Sequence, residues 1–213
     1  MSSLNIESVD FLRLFRAGQP VVIQFQKLAP SDMEQVRKIT ETILEERNLN
    51  KFFAFASTVI KEFLQNGAKA TQKRIFFKNH GLDIDKNHKQ GIEKFKESMS
   101  NGDIHNHQLI DGIDFLVELR LQELDKGVLI SVRNHGEMNE NEIKNVNFMI
   151  DRGRRTNEVS DLLSDETSNK EGGGLGLSMI VILMKKLGLT PDCLYYEVKN
   201  SFTSFNVKIP YNI

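Results

Sequence analysis

Three polar residues in the stretch 52–70 have the types and the spacing of a metal-nucleotide site. Glu62, Asn66 and Lys69 follow one another at intervals of four and three residues, which places them on one helix face, within a sector of about 60°. An amide oxygen suits Mg²⁺, a carboxylate can orient or activate a nucleophile, and an ammonium group binds phosphate. An exposed polar helix face that merely contains these residue types is the alternative interpretation.

A glycine-rich run lies further along the chain, directly before an apolar helical pattern that covers 175–187. Four of five consecutive positions in it are glycine: Gly172, Gly173, Gly174 and Gly176. Glycine lets the backbone approach a ligand closely, and the N-terminus of the following helix offers unpaired N–H groups and a positive dipole end to an anion. The run predicts a phosphate-binding turn, although a flexible turn before an ordinary helix shows the same pattern.

Composition limits the class of protein. The chain has 213 residues, of which 39% are hydrophobic and 27% charged, enough for a substantial core. Its 28 basic and 29 acidic residues leave a net charge of −1, which indicates no nucleic acid or anionic membrane as a partner. The single cysteine, Cys193, favours a reducing compartment. Because no signal peptide or membrane span is evident either, we expect a cytoplasmic protein.

Hydrophobic periodicity predicts the elements that must position these residues. Helical spacing predicts helices at 9–15, 31–47, 52–70 and 175–187, and a weaker one at 92–99. Alternation predicts strands at 19–27, 73–78, 113–122, 128–132, 194–199 and 203–209. Ser31 and Glu34 have the spacing of a capping box, and Asp125-Lys126-Gly127 predicts a hairpin turn. The polar stretch 79–112 is long for a simple connection and is interpreted as an insertion.

Taken together, these segments resemble the GHKL ATPase superfamily, which includes gyrase-type topoisomerases and sensor histidine kinases. Residues 62–71 resemble its N box, 132–136 its G1 box, 172–177 its G2 box and 205–210 its closing strand. Their order and spacing match as well, and a match to several boxes is far more specific than a match to one. The resemblance covers roughly 20–213. It implies one domain with the Bergerat ATP-binding fold, a two-layer α/β sandwich with a mixed, mostly antiparallel sheet.

The resemblance implies ATP and Mg²⁺ as cofactors. Asn66 would coordinate Mg²⁺, Glu62 would be the catalytic group that orients or activates the attacking group, and Lys69 would contact phosphate. Residues 137–171 would form a lid over ATP. The remaining nucleotide-binding positions are Asn134, Gly136 and Thr203 at the adenine end, and Gly172, Gly173, Gly174, Leu175, Gly176 and Leu177 at the phosphate turn. Arg152, Arg154 and Arg155 are unassigned candidates for phosphate contacts in the lid.

The G1 box departs from the family pattern. Family members carry Asp-x-Gly-x-Gly, in which the Asp accepts a hydrogen bond from the adenine amino group, whereas this chain has Asn134 and, at the second glycine, Met138. The asparagine oxygen can still accept one bond, but it is neutral and its NH₂ needs a partner of its own. Losing the charge-assisted bond costs about 1 kcal/mol. A weakened or altered nucleotide preference therefore stays open.

The layout looks most like that of the anti-sigma-factor serine kinases. The first histidine, His80, follows Asn66, so a phosphoacceptor histidine on a preceding helix is excluded and we expect the acceptor on another protein. One hypothesis is a Mg²⁺-ATP-dependent protein kinase or ATPase in cytoplasmic signalling. The other is a non-catalytic module in which ATP or ADP sets the affinity for a partner such as a transcription factor. A scaffold without ligand is a third alternative, and a homodimer stays open.

Overall fold

The computed structural model describes residues 8–84, 88–101, 109–110, 112–164 and 175–212. The helices are α1 (Ser8–Arg16), α2 (Pro30–Glu46), α3 (Phe53–Asn79), α4 (His88–Ser100), α5 (Glu140–Arg155), α6 (Val159–Ser164) and α7 (Leu175–Lys186). The strands are β1 (Val21–Phe25), β2 (Val117–Leu124), β3 (Gly127–His135), β4 (Leu194–Lys199) and β5 (Phe202–Pro210). Short 3₁₀ helices at Asn50–Phe52 and Pro191–Cys193 precede α3 and β4. Within these residues, no helix is long and apolar enough to cross a membrane.

The strands form a sheet in the order β1-β2-β3-β5-β4. Each pair of neighbours among the described strands is antiparallel, so the sheet contains no parallel pair of the kind that a mixed sheet would have. The predicted α/β sandwich is confirmed, and so are the hairpin between β2 and β3 and the two closing strands. The β2–β3 hairpin closes at the pair Leu124 and Gly127, where the sequence predicts its turn.

One face of the sheet carries the main core. Alternate residues of the strands are buried there, as in β2, where Val117, Leu119 and Leu121 are each at most 1% exposed. Helix α3 contacts β2 and β3 on this face and buries Val59 and Leu64 completely. Burying alternate strand positions under a helix is what makes the sheet half-buried. The arrangement also fixes which side of α3 remains available to a ligand.

Helix α3 is longer than predicted, and the strand predicted at 73–78 is wrong. The helix continues through Ile75, Phe76 and Phe77 to Asn79 and ends beside Gly81, whose φ is +61°. A short apolar run fits a strand and a buried helix equally well, and no Gly or Pro interrupts the chain between Gly67 and Gly81. Tertiary packing decides the matter, because all three apolar side chains are at most 3% exposed.

Three smaller differences separate the structure from the sequence-based prediction. The carboxylate that caps α2 belongs to Asp32, whose Oδ2 accepts a hydrogen bond from the backbone N of Ala29 at 2.8 Å; Ser31 lies inside the helix, and Glu34 pairs with Arg37 on its surface. Strand β2 begins at Val117, later than the predicted position 113. The polar stretch predicted as a lid contains α5 and α6, and α5 packs against α7.

Helix α4 lies in the predicted insertion and has a small core of its own. Phe95 of α4 packs with Phe76 and Phe77 of α3 in a cluster separate from the main core. The rings of Phe76 and Phe95 meet edge to face, with centroids 5.6 Å apart. The extension of α3 therefore serves as the platform on which α4 rests.

The separate core predicts a local response to truncation. We expect Phe77→Ala to destabilise the docked state of α4 by about 3 kcal/mol, because it removes a large side chain from a buried site. Hydrogen exchange measured amide by amide should become faster in α4 while the sheet keeps its protection. Phe148→Ala on α5 is the control, since Phe148 is 57% exposed. Equal loss of protection throughout the sheet would contradict a separate α4 core.

Candidate functional site

A cavity of about 290 Å³ lies where α3, α4, α5, the first turn of α7 and strands β3 and β5 meet. Five of the predicted site residues line it: Asn66, Lys69, Asn134, Leu177 and Thr203. Met138, at the second glycine position of the G1 box, also lines the cavity. Residues far apart in the chain are thus brought to one place by the packing of α3 on the sheet.

Other predicted residues lie beside the cavity without lining it. The carboxylate of Glu62 rests against Gly176, where an added Cβ would lie 1.9 Å from Glu62 Oε2, and Leu175 precedes this contact in the same turn of α7. Gly136 has a φ of +95°, and the Arg74 side chain packs on it. The predicted phosphate-turn glycines Gly172, Gly173 and Gly174 lie outside the described residues.

Asn134 is held in place by the β3–β5 ladder. It pairs with Thr203 in the register, and both residues are at most 4% exposed. Its Nδ2 donates to the carbonyl of His135 at 3.0 Å, while Thr203 Oγ1 donates to the carbonyl of Gly136 at 2.8 Å. The NH₂ group therefore has the partner that a buried amide requires, and Oδ1 is left to accept a further hydrogen bond.

Unlike the buried Asn134, Asn66 has an exposed side chain, which lines the cavity. Within the described part of the chain, its amide makes no hydrogen bond to protein. An unengaged amide oxygen suits a hard cation such as Mg²⁺, which often takes only one or two protein ligands and completes its shell with phosphate oxygens and water. The described residues contain no cluster of three His, Cys, Asp or Glu side chains that could hold a metal by themselves.

An ion triad ties the start of α5 to the extension of α3. Glu142 accepts hydrogen bonds from Lys73 and from Arg74, the latter at 3.2 Å, and Glu142 Oε2 also accepts the backbone N–H of Asn139 at 3.1 Å. Burial alone would raise the pKa of Glu142, but the charges of Lys73 and Arg74 and these hydrogen bonds outweigh it and hold the pKa below its usual value. The triad forms part of the cavity wall.

The cavity carries an excess of positive charge. Four cationic side chains line it, Lys69, Lys73, Arg74 and Lys96, against the one carboxylate of Glu142. Burial lowers the pKa of Lys69, and repulsion from Lys96 and then Lys73 lowers it further. Neither Lys69 nor Lys96 has a carboxylate partner in the part of the chain that the structure describes. Such an arrangement favours an anionic ligand, which would relieve the repulsion.

The arginines predicted as lid contacts face elsewhere, and none of them lines the cavity. Arg152 donates to the carbonyl of Leu162 in α6 at 3.1 Å, and Arg154 pairs with Asp151 on the surface of α5. Arg155 is exposed in the last turn of the same helix. Arg152 therefore helps to join α5 to α6, whereas Arg154 and Arg155 lie on the surface of α5.

Nine cavity residues lie outside the boxes named from the sequence: Lys73, Arg74, Ile92, Phe95, Lys96, Glu142, Asn145, Val146 and Met149. A signal for two of them exists, since Lys73 and Arg74 lie seven and eight residues after Asn66 and thus on its helix face if the helix continues. Predicting a strand at 73–78 ended the helix before Lys73, so this shared helix face was not recognised. For the α4 residues and Glu142 the local sequence contains no comparable signal, because their position depends on long-range packing.

The ion triad predicts a pH-dependent contribution to stability. Glu142→Gln should lower the free energy of unfolding by about 2 kcal/mol at pH 7, because the cations lose a partly buried partner. Since the folded pKa of Glu142 is lowered, its contribution is complete above the unfolded pKa of about 4.3 and is lost as the pH falls through the folded pKa. Urea unfolding from pH 7 to pH 3 measures the difference.

Glu140→Gln is the matched control on the same helix. The Glu140 side chain is 92% exposed and lies 3.9 Å from Lys144, so its replacement should change stability by less than about 0.5 kcal/mol. A difference between wild type and Glu142→Gln that stays constant down to pH 3 would contradict the assignment of the effect to the ionised carboxylate.

The chain is similar to an uncharacterized protein of Treponema pallidum (strain Nichols), with 31% identity over 197 residues. The match covers 91% of this chain and 38% of that protein, so the chain spans less than two fifths of its relative's length. No protein-family model and no solved structure matches the chain. A function for the site therefore has to be argued from its geometry.

Proposed function

We propose that this chain is a Mg²⁺-ATP-binding domain of the histidine-kinase-like type, related to the GHKL ATPases, and that it acts as a protein kinase or ATPase in signalling. One observation carries the proposal: Asn66, Lys69 and Asn134 line the same cavity, as the resemblance to the N and G1 boxes leads one to expect. Phosphate-binding and adenine-binding groups are thus adjacent, and the distance between them is set by α3 and the sheet.

The adenine base would bind at the sheet. Asn134 Oδ1 would accept a hydrogen bond from the exocyclic amino group, because the Nδ2 donor is already engaged with the carbonyl of His135. Apolar contact for the base is available from Phe63 and Phe205, whose ring centroids are 5.4 Å apart and which both line the cavity. A largely apolar pocket with a few placed polar groups is the usual form of such a site.

The phosphates would bind along α3. Lys69 supplies a cation for them, and Asn66 would hold Mg²⁺, which neutralises charge on a phosphate chain when it is bound. The donor chemistry fits, since Asn66 offers an amide oxygen that no described protein group engages. The first turn of α7 contributes Leu177 to the cavity wall, and its unpaired backbone N–H groups would add favourable contacts to an anion bound there.

Catalysis would depend on Glu62. Its carboxylate lies one helical turn before Asn66 and against Gly176, at the start of α7, where it could orient an attacking hydroxyl or water. The acceptor would be a hydroxyl on a partner protein or, for an ATPase, water.

Cys193, the single cysteine, supports a reducing compartment and hence the cytoplasm as the place of action.

A second candidate is a nucleotide-switched binding module that does not turn over ATP. It is favoured by the observation that Glu62 is not among the residues that line the cavity. In this case ATP or ADP would shift the position of α5, whose first turn is held by Lys73 and Arg74 at the cavity wall, and thereby set the affinity for a partner protein.

The Mg²⁺ dependence of binding tests the proposal. Isothermal titration should show ATP binding that needs Mg²⁺ for full affinity, and Asn66→Ala should abolish that dependence and weaken binding at least tenfold. Gln65→Ala is the matched control, because Gln65 is exposed on the same helix and does not line the cavity. Absence of ATP and ADP binding by the wild-type protein would refute both candidate functions.

Turnover then separates the two candidates. Incubation with labelled ATP should show hydrolysis or transfer that Glu62→Gln reduces at least a hundredfold while ATP affinity changes little, as expected for a group that acts on the attacking oxygen. Binding without turnover in the wild-type protein would support the switched module in place of the enzyme.

The base preference tests the assignment of Asn134. We expect ATP to bind more tightly than GTP, and Asn134→Asp to raise ATP affinity about five- to tenfold, because the acceptor becomes charged. Asn134→Ala should lower ATP affinity about tenfold. Ser131→Ala on the opposite face of β3 is the control, since Ser131 is also buried but does not line the cavity. Tighter binding of GTP would overturn the adenine assignment.

A further inference from the structure

Helix α4 supplies a cavity wall that none of the boxes in the sequence accounts for. Three of its residues, Ile92, Phe95 and Lys96, line the cavity. They are spaced i, i+3 and i+4 and therefore lie on one side of the helix. Ile92 and Phe95 also belong to the small core between α4 and the end of α3. Because these two residues are packed, the position of the adjacent Lys96 at the cavity is fixed as well.

The contact between α4 and α3 is close. Gly91 lies against the ring of Phe77, and an added Cβ at Gly91 would come within 2.3 Å of Phe77 Cζ. The Phe76 and Phe77 rings are 6.3 Å apart and meet edge to face. A helix that packs its own Phe95 against these two rings of α3 holds its cavity side in a defined position.

Lys96 of α4 and Lys69 of α3 line the same cavity. Of the neighbouring charges, Lys96 makes the largest contribution to the lowered pKa of Lys69, after burial itself. The other two cations of the cavity, Lys73 and Arg74, share one carboxylate partner, Glu142. Within the described residues, no carboxylate compensates Lys69 or Lys96, so two ammonium groups from different helices face the same space without a counter-charge.

We propose that Lys69 and Lys96 together form a subsite for the phosphate chain of the bound nucleotide, with α4 as a wall of the site. The inference rests on the proposed function, because it identifies the anion as part of a nucleotide. It assigns a role to α4, which lies in the predicted insertion: Phe95 packs the helix on the extended α3, and Lys96 contributes the second cation.

The physical reason for two cations is the charge of the ligand. A polyphosphate carries several negative charges, and an ammonium group on each side neutralises them while ending the repulsion between the two lysines. Lys96 is exposed and Lys69 half-buried, so Lys96 can move toward a phosphate with little desolvation. A phosphate-free ligand such as adenosine would not benefit from this pair.

The test compares ligands that differ in their phosphates. ATP, tripolyphosphate and adenosine are titrated into wild-type protein, Lys96→Ala, Lys96→Arg and Lys94→Ala. We expect Lys96→Ala to weaken binding of ATP and tripolyphosphate about tenfold and to leave adenosine unchanged, because one charge-assisted contact is lost. Lys96→Arg should restore most of the affinity. Lys94→Ala, on the same helix but outside the cavity lining, should bind like wild type.

The outcomes distinguish the inference from the function on which it rests. ATP binding that Lys96→Ala leaves unchanged overturns the subsite and does not affect the proposed function. An equal loss for adenosine overturns it as well, since Lys96 would then act only as part of the wall. Tripolyphosphate binding that depends on Lys96 without any ATP binding supports the subsite and overturns the proposed function. If wild type binds neither ATP nor tripolyphosphate, both are wrong.

Discussion

The position of Asn66 and Lys69 relative to Asn134 follows from the close packing of α3 on the sheet at Gly67. An added Cβ at Gly67 would come within 2.8 Å of Val117 and within 3.5 Å of Asn134, so the helix backbone rests on β2 and β3 at this point. Asn66 and Lys69, on either side of Gly67 in the sequence, are thereby brought beside Asn134. The cavity has one wall from the helix and one from the sheet because these two elements are in contact here.

The positive charge of the cavity is the second organising feature, and its cations differ in whether a carboxylate lies beside them. Glu142 pairs with both Lys73 and Arg74, one carboxylate against two cations, and joins α5 to α3, whereas Lys69 and Lys96 repel each other. Like charges held together without a partner lower the stability of a fold, and such local conflicts are expected where a protein binds a ligand of opposite charge. Both lysines line the cavity, and within the described residues neither has a carboxylate partner, which connects the electrostatics of this region to binding.

Much of the fold could be predicted from local patterns. The β2–β3 hairpin, both closing strands and α7 have strict periodicity and clear stop signals, and each forms about where it is predicted. The segment 73–78 could not be assigned in this way, because Ile75-Phe76-Phe77 satisfies a strand and a buried helix alike. In the fold, Phe95 of α4, more than ten residues further along the chain, packs on Phe76 and Phe77, a contact that no local pattern contains.

For the site, residue type and helical spacing singled out Asn66 and Lys69, since both are local properties of a chain, whereas Asn134 and Thr203 were added by the resemblance to the GHKL ATPases. Their convergence in one cavity, the partner of the Asn134 amide, the contact of Glu62 with Gly176 and the recruitment of Glu142 and Lys96 were decided by tertiary structure. These features arise from contacts between elements distant in sequence, which depend on how apolar faces pack and which no short stretch of residues encodes.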